Sequence, residues 1–502
     1  MNIIKLLERA NNKFGSETAY QYKDDSITFS QVYEKALSVA MKISLNSEEK
    51  QPIIVISNKN VNIPSIYTGI AYANCHYVPV SQEMPKNKIE NILDLTQSRI
   101  IITDEENLEM VKNLDFGGKI FTIDDCINQP VIDKTLIDER KNNLTDKNPL
   151  YIIFTSGSTG VPKGVVTCHA SVVDYLLTFI ETFKINKNEI FGNQAPLDYI
   201  AGIRDIYIPM ITGCKSIFIP KNLFSTPKLL FEYLNENKVT TICWVSAALS
   251  LCCQFNVFSE IKPLYVKKVF FTGSVFDFKH LNIWKSELPE AMFVNHYGPT
   301  EITASCTYYV VDNNKEYDKP APIGKAFENR QVFILNEENE LAKVNEVGEI
   351  CVSGTCLALG YYKNPEKTNE CFIQNPLNKI HPELIYRTGD LGYLGEDGIL
   401  IFVGRKDNQI KHMGHRVELG EIESFANANE HIDESCCVYN TKKSVITLFY
   451  SGAATPAEIS KHLRECLPSY MIPRKLICME SLPKLFNGKI DRQTLKKQVE
   501  EQ

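Results

Sequence analysis

Apolar, β-branched runs recur along the first two thirds of the chain, each followed by a polar or amphipathic stretch. Pro52-Ile53-Ile54-Val55-Ile56 and Arg99-Ile100-Ile101-Ile102-Thr103 open the pattern; Ser216-Ile217-Phe218-Ile219-Pro220 and Lys268-Val269-Phe270-Phe271-Thr272 continue it. Unbroken apolarity suits strands covered on both faces, so these runs predict a parallel-rich body of α/β layers. The first residues, Met1 to Glu8, read as the start of an amphipathic helix. From Gly348-Glu349-Ile350-Cys351-Val352 to Ile399-Leu400-Ile401-Phe402-Val403 the segments shorten, and Asp397-Gly398 signals a hairpin between apolar runs. A β-rich subdomain is expected there. The polar stretch from Gly404 to Gln409 then suggests a linker to a final α+β unit. The expected organisation is therefore a large N-terminal domain, residues 1–403, with a β-rich subdomain at about 320–403, and a small mobile C-terminal domain, residues 404–502.

Length and composition narrow the class. A chain of 502 residues exceeds the roughly 100–200 residues of one domain, which agrees with a multidomain reading. Hydrophobic residues at 44% and charged residues at 23% are globular values. The net charge of −7 offers no basic footprint for a nucleic acid. No apolar run approaches the roughly 18 residues of a membrane span, and the N-terminus lacks the apolar segment of a secretion signal. A soluble, cytoplasmic protein is expected, with neither nucleic acid nor membrane as partner. The 15 cysteines show no zinc-ligand spacing, and the adjacent pairs Cys252-Cys253 and Cys436-Cys437 cannot form a zinc knuckle; they read as reduced core residues.

The strongest local signal runs from Tyr151-Ile152-Ile153-Phe154 into Thr155-Ser156-Gly157-Ser158-Thr159-Gly160-Val161-Pro162-Lys163-Gly164. An apolar strand entering a loop of glycines and hydroxyls can wrap a polyphosphate. Glycines let backbone N–H groups approach phosphate oxygens, the hydroxyls of Thr155, Ser156, Ser158 and Thr159 donate further bonds, and Lys163 adds a mobile charge. The order of residues is not that of a P-loop, because Lys163 precedes Gly164 and Val165. A protein-kinase catalytic loop is absent from the sequence as well.

After this loop, five more signatures follow in order: Asn295-His296-Tyr297-Gly298-Pro299-Thr300-Glu301, Tyr386-Arg387-Thr388-Gly389-Asp390, Gly404-Arg405-Lys406-Asp407-Asn408-Gln409-Ile410-Lys411, Leu467-Pro468-Ser469-Tyr470-Met471-Ile472-Pro473 and Asn487-Gly488-Lys489-Ile490-Asp491-Arg492. Together they resemble the adenylate-forming superfamily, and most of all its free-standing carrier-protein ligases and peptide-synthetase adenylation domains. The resemblance implies ATP and Mg2+ as cofactors, a small carboxylic acid as substrate, and acyl transfer to the phosphopantetheine thiol of a carrier protein. An acyl-CoA synthetase, using coenzyme A, and an α-amino-acid or D-alanine carrier-protein ligase are the alternatives. It further implies that Thr155, Ser156, Gly157, Ser158, Thr159, Lys163, Asn295, His296, Tyr297, Gly298, Thr300, Asp390, Arg405 and Lys489 bind the nucleotide. By the same resemblance Tyr297 stacks on adenine, Asp390 takes the ribose hydroxyls and Thr300 contacts phosphate, while Glu301, outside that set, holds Mg2+. Lys489 acts in catalysis beside Thr300 and Glu301, and Asp407 is the expected hinge for rotation of the C-terminal domain.

The segment Gln194-Ala195-Pro196-Leu197-Asp198-Tyr199-Ile200-Ala201-Gly202-Ile203-Arg204-Asp205 matches the family's substrate-binding stretch without gaps. Ile200 falls where α-amino-acid enzymes keep an aspartate for the substrate ammonium. A buried ammonium without a carboxylate is strongly unfavourable, which argues against an ordinary α-amino acid. Two readings stand: Asp198 serves an amine placed further from the carboxyl, or the substrate is an aryl or other small acid without an amine. Tyr199, Ile200, Trp244, Ser246, Thr272, His296, Ala304 and Ser305 are expected to line the pocket with Asp198. Arg204, a cation in an apolar stretch, either pairs with Asp205 or Asp198 or contacts an anionic substrate group.

Overall fold

Three apolar cores organise the larger part of the computed structural model, which describes residues 1–156, 162–197, 199–441, 443–484 and 490–500. Two compact units emerge. The first comprises Met1–Gln82, Thr96–Ile153 and Gly164–Gly404, and the second Glu83–Leu95, Phe154–Lys163 and Arg405–Gln502.

In the first unit the predicted buried runs are strands Pro52–Ile56, Ile100–Thr103, Lys215–Phe218 and Lys268–Thr272. The first two lie within a seven-stranded sheet, and the last two within a nine-stranded sheet, among the described residues. In the larger sheet Thr18–Tyr22, Lys215–Phe218, Ile190–Asn193, Thr241–Val245, Lys268–Thr272 and Met292–Tyr297 pair in parallel. Helices cover them, so most side chains of these strands are buried, Thr241–Val245 entirely, and an unbroken apolar run is stable there. The amphipathic N-terminus forms helix Ile3–Phe14, begun by the Asn2 side chain accepting from the Lys5 N–H at 3.1 Å.

The β-rich segment is a five-stranded sheet of Arg330–Leu335, Gly348–Gly354, Leu384–Leu394 and Phe372–Gln374, with Leu400–Arg405 paired to Leu384–Leu394. Asp397-Gly398 makes the hairpin turn: Gly398 takes a φ of +74°, and Gly395 N–H bonds Ile399 C=O at 2.9 Å. All described cysteines are free thiols, most of them buried. Among the described residues no helix is long and apolar enough to cross a membrane.

The second unit is an α+β assembly. Its three-stranded sheet, Ile432–Asn440, Val445–Gly452 and Lys475–Cys478, carries helices Leu419–Asn427, Pro456–Cys466 and Arg492–Glu500, and hairpin Gln409–His412 with His415–Glu418 precedes it. Lys88 lies in the same unit, its Nζ 2.6 Å from Glu421 Oε1, with side chains 5% and 0% exposed. Burial raises the pKa of Glu421, and the Lys88 charge opposes that rise.

Removing one partner of such a pair leaves a buried charge alone, so Lys88→Met is expected to cost about 3–5 kcal/mol near neutral pH. The loss should shrink as pH falls. A carboxyl whose folded-state pKa stands above its unfolded value takes up its proton first in the folded chain, so stability returns as pH drops through that value. Urea midpoints of the full chain at about pH 8 and about pH 5 check this, and a pH-independent deficit would contradict it.

Candidate functional site

The C-terminal ends of the parallel strands of the nine-stranded sheet carry most of the residues singled out in the sequence. Open parallel sheets offer their ligand crevices at those ends. Thr272 ends its strand, Ser246 follows Thr241–Val245, and Tyr297 ends Met292–Tyr297. Past Tyr297 the chain turns through Gly298 and Pro299 into the short 3-10 turn Thr300–Ile302, with Thr300, Glu301 and Ile302 all buried. A Cβ on Gly298 would lie 2.6 Å from Ala304 O and 2.6 Å from Ser305 Cα, both backbone, so only glycine fits the return of the loop. Thr303 and Ala304 follow with φ of +56° and +74°. Two consecutive left-handed non-glycine residues, one β-branched, store strain. Thr303 is held there by its hydroxyl donating to Cys356 O at 2.8 Å.

Two buried carboxylates meet this turn. Glu301 is 0% exposed, and its Oε1 accepts from the Tyr361 hydroxyl at 2.7 Å. Asp390 is 2% exposed and accepts from the Tyr297 hydroxyl. Burial, then the Asp390 charge, raises the pKa of Tyr297 well above the ordinary range, so the phenol stays a donor. The Asp390 backbone is fixed by its N–H donating to Thr388 Oγ1 at 3.0 Å, while Thr388 Oγ1 donates to Ile350 O at 2.8 Å. Glu349 accepts from Gly389 N–H at 3.0 Å and from Arg387 Nε at 2.9 Å, which anchors the same strand. Asn295 donates to Pro322 O at 2.8 Å.

Neighbouring strand residues face opposite sides, so His296 points away from Tyr297. It lies 3% exposed among the rings of Phe179, Phe183, Phe270 and Phe327, with centroids 5.6, 5.3, 5.4 and 5.7 Å away. Burial, then the nearby Arg204 charge, pushes its pKa well down, so the imidazole is neutral. Ile200 and Ala304 belong to the same apolar core, Tyr199 packs against it, and Ser305 is buried. Trp244 lies elsewhere: fully buried in the second core, it donates from Nε1 to Gly192 O at 2.8 Å. Ser246 Oγ donates to Ser274 O at 2.8 Å.

Arg204 is 1% exposed and donates from Nη1 to the Tyr175 hydroxyl at 3.2 Å. Of the pairings open to Arg204, the one with Asp205 is not formed: Asp205 accepts from Asn193 Nδ2 at 2.6 Å. Burial lifts the Asp205 pKa to about 6, against the pull of the Arg204 charge.

Other candidates belong to the second unit. Ser156 Oγ donates to Arg416 O at 2.6 Å, Thr155 Oγ1 lies 3.5 Å from Lys163 O, and Lys163 Nζ lies 3.7 Å from Glu418 Oε1. Arg405 grips Asp407 through both carboxylate oxygens, Nε and Nη2 each at 2.7 Å. Gly157, Ser158, Thr159, Asp198 and Lys489 lie outside the described residues. Tyr361, Tyr175, Glu418 and Glu349 were not singled out in the sequence, because nothing local to them signals a site; only the tertiary pairing reveals them.

The family described as AMP-binding enzyme matches residues 7–362, and its C-terminal domain matches residues 421–489. Tyrocidine synthase 1 of Brevibacillus parabrevis is 28% identical over 98% of this chain and 45% of its own, so the chain spans less than half of that relative. D-alanine--D-alanyl carrier protein ligase of Bacillus cereus (strain Q1) is 29% identical over 99% of this chain and 100% of its own. A Vibrio cholerae adenylation domain in complex with glycyl-adenosine-5'-phosphate shares the fold, with TM-score 0.85 and 23% identity over 100% of this chain and 97% of its own.

The steric reading of the turn is testable by itself. Gly298→Ala is expected to cost about 1–3 kcal/mol, as overpacking against backbone does, whereas Gly117→Ala, with open space around its Cβ, should be near neutral. Urea unfolding of both variants checks the contrast.

Proposed function

The chain belongs to the AMP-binding enzyme family, and from that premise we propose that it is an acid–thiol ligase that activates a small carboxylic acid with ATP and passes the acyl group to a carrier-protein thiol. The observation that carries the reading is the meeting of Glu301 and Asp390, from segments far apart in the chain, at the turn that follows Met292–Tyr297. Buried carboxylates held by tyrosine donors suit hard-cation and ribose recognition better than a structural role.

In the first half-reaction a carboxylate oxygen of the acid attacks the α-phosphorus of ATP; the bond to the outer phosphates breaks, giving acyl-adenylate and pyrophosphate. In the second the thiol sulfur attacks the acyl carbon, AMP departs, and the thiol proton is lost to solvent. Asp390 accepts from the ribose hydroxyls, an acceptor role that an ionised carboxylate fills in bidentate fashion. Tyr297 offers its ring to adenine while its hydroxyl keeps Asp390 oriented. The Thr300 hydroxyl and the residues flanking the glycine-hydroxyl loop donate to phosphate oxygens, with Lys163 and Arg405 supplying charge. The Glu301 carboxylate fits Mg2+, which takes one or two carboxylates and completes its sphere with phosphate and water. When bound, that ion neutralises charge on the phosphates. Lys489, outside the described residues, bridges the acid and the α-phosphate, and Asp407 is the hinge for rotation of the C-terminal domain.

Ile200, buried at 6% exposure, gives an α-ammonium no partner, so an aryl acid, or an acid with its amine further from the carboxyl, is favoured over an α-amino acid.

Pyrophosphate exchange into ATP by the full chain, screened over α-amino, β-amino, aryl and short aliphatic acids, is expected to depend on the acid and to be weakest for α-amino acids. No exchange with any acid would overturn the proposal. Coenzyme A and a phosphopantetheinyl carrier protein, offered in parallel, separate the two acceptors. Lys489→Ala should abolish exchange yet spare thioester formation from supplied acyl-adenylate, and equal loss of both would contradict the division of labour.

A further inference from the structure

Arg204 is the polar group that the site leaves least accounted for. It lies in the first turn of helix Gly202–Thr212, its side chain 1% exposed. Its guanidinium sits over the Phe179 ring, 5.7 Å from the centroid, and its Nη1 donates to a neutral phenol, Tyr175, at 3.2 Å. Its Nε has no acceptor, and no carboxylate of the described residues stands within 4.0 Å of it. Arg330 differs in its counter-charge: it lies over the Tyr175 ring and its Nε also lacks an acceptor, but Asp174 Oδ2 is 3.4 Å from its Nη2. A cation is rarely buried without a hydrogen-bonded counter-charge, because the desolvation it suffers is large.

His296 repeats the signal independently. It packs against the same Phe179, and both ring nitrogens lack a hydrogen-bond partner. Neutral imidazole brings one N–H donor, so with Arg204 Nε the cluster presents two unused donors and one permanent positive charge. The cluster is joined through the backbone to the turn that begins at Tyr297, on the opposite face of the strand. His296 directly precedes Tyr297, about 3.8 Å away along the backbone. Ser305, also buried, ends the strained return of the loop that starts at Thr300.

These observations, taken with the function proposed above, on which this step rests, specify the far end of the acid. We propose that Arg204 is a specificity-determining residue that receives a second anionic group of the substrate, so that the acid activated is a small dicarboxylic acid rather than a monoacid or an amino acid. The distal carboxylate accepts from Arg204 Nε and from His296, and it supplies the missing counter-charge. A distal ammonium would face the guanidinium and be repelled, and a neutral alkyl or aryl end would leave both donors buried and unused.

Matched pairs of acids test it with the full chain in the pyrophosphate-exchange assay: butyrate against succinate, valerate against glutarate, benzoate against isophthalate, with β-alanine as the amine. The diacid of at least one pair should exceed its monoacid by about tenfold or more in kcat/KM. Arg204→Met, similar in length and uncharged, should lose that preference mainly through KM while keeping monoacid turnover, and Arg204→Lys should restore part of it. Thermal unfolding and ATP binding of each variant show whether the fold and the nucleotide half survive. Exchange with monoacids or β-alanine in preference to every diacid would overturn the inference while leaving the ligase reading intact. So would an equal loss for all acids in Arg204→Met accompanied by lowered stability, which marks a structural arginine. Absence of exchange with every acid overturns both.

Discussion

A buried carboxyl group is stable only where hydrogen-bond partners meet it, and the two tyrosine hydroxyls on Glu301 and Asp390 are the bonds on which this site depends. Each joins segments remote in the chain. Tyr361 reaches Glu301 from the end of the seven-stranded sheet, and Asp390 reaches Tyr297 from the β-rich sheet. In the function proposed above, the same two oriented carboxylates face the ribose and the hard cation.

The parallel sheet explains why the groups collect where they do. Strand ends of such a sheet fan out into a crevice, and loops leaving them carry chemistry that the buried strands cannot. Gly298 permits the close return of one such loop, and the left-handed pair Thr303 and Ala304 completes it against the Cys356 carbonyl. Strain of this kind persists because the surroundings over-determine it, and it returns the chain to the buried Ser305. One strand and its loop thereby carry both the Tyr297 and Glu301 bonds and, at His296, the edge of the apolar cluster that holds Arg204.

Much of this was legible in the residues themselves. Unbroken apolar runs such as Ile53 to Ile56 became central strands because both faces are covered, and Asp397-Gly398 became a hairpin turn because glycine alone takes the required φ without cost. The carboxylates and Tyr297 were found through ordered motifs. Their partners were not, since Tyr361 and Glu349 act through contacts that only the folded chain creates. Arg204 shows both limits: its oddity was plain from an apolar segment, yet Asp205, one of its candidate partners, bonds Asn193, and the bond of Arg204 to Tyr175 could not have been read from spacing. Trp244 illustrates the opposite case, where strand register alone sends a large aromatic to the far core.

The central claim is that the acid's own carboxylate attacks the innermost phosphorus of ATP. Supplying an accepted acid labelled with heavy oxygen in its carboxylate, together with a thiol acceptor, and weighing the nucleotide product by mass spectrometry tests this directly. AMP carrying one labelled oxygen in its phosphate is the expected product. ADP as the product, or AMP free of label, would contradict it.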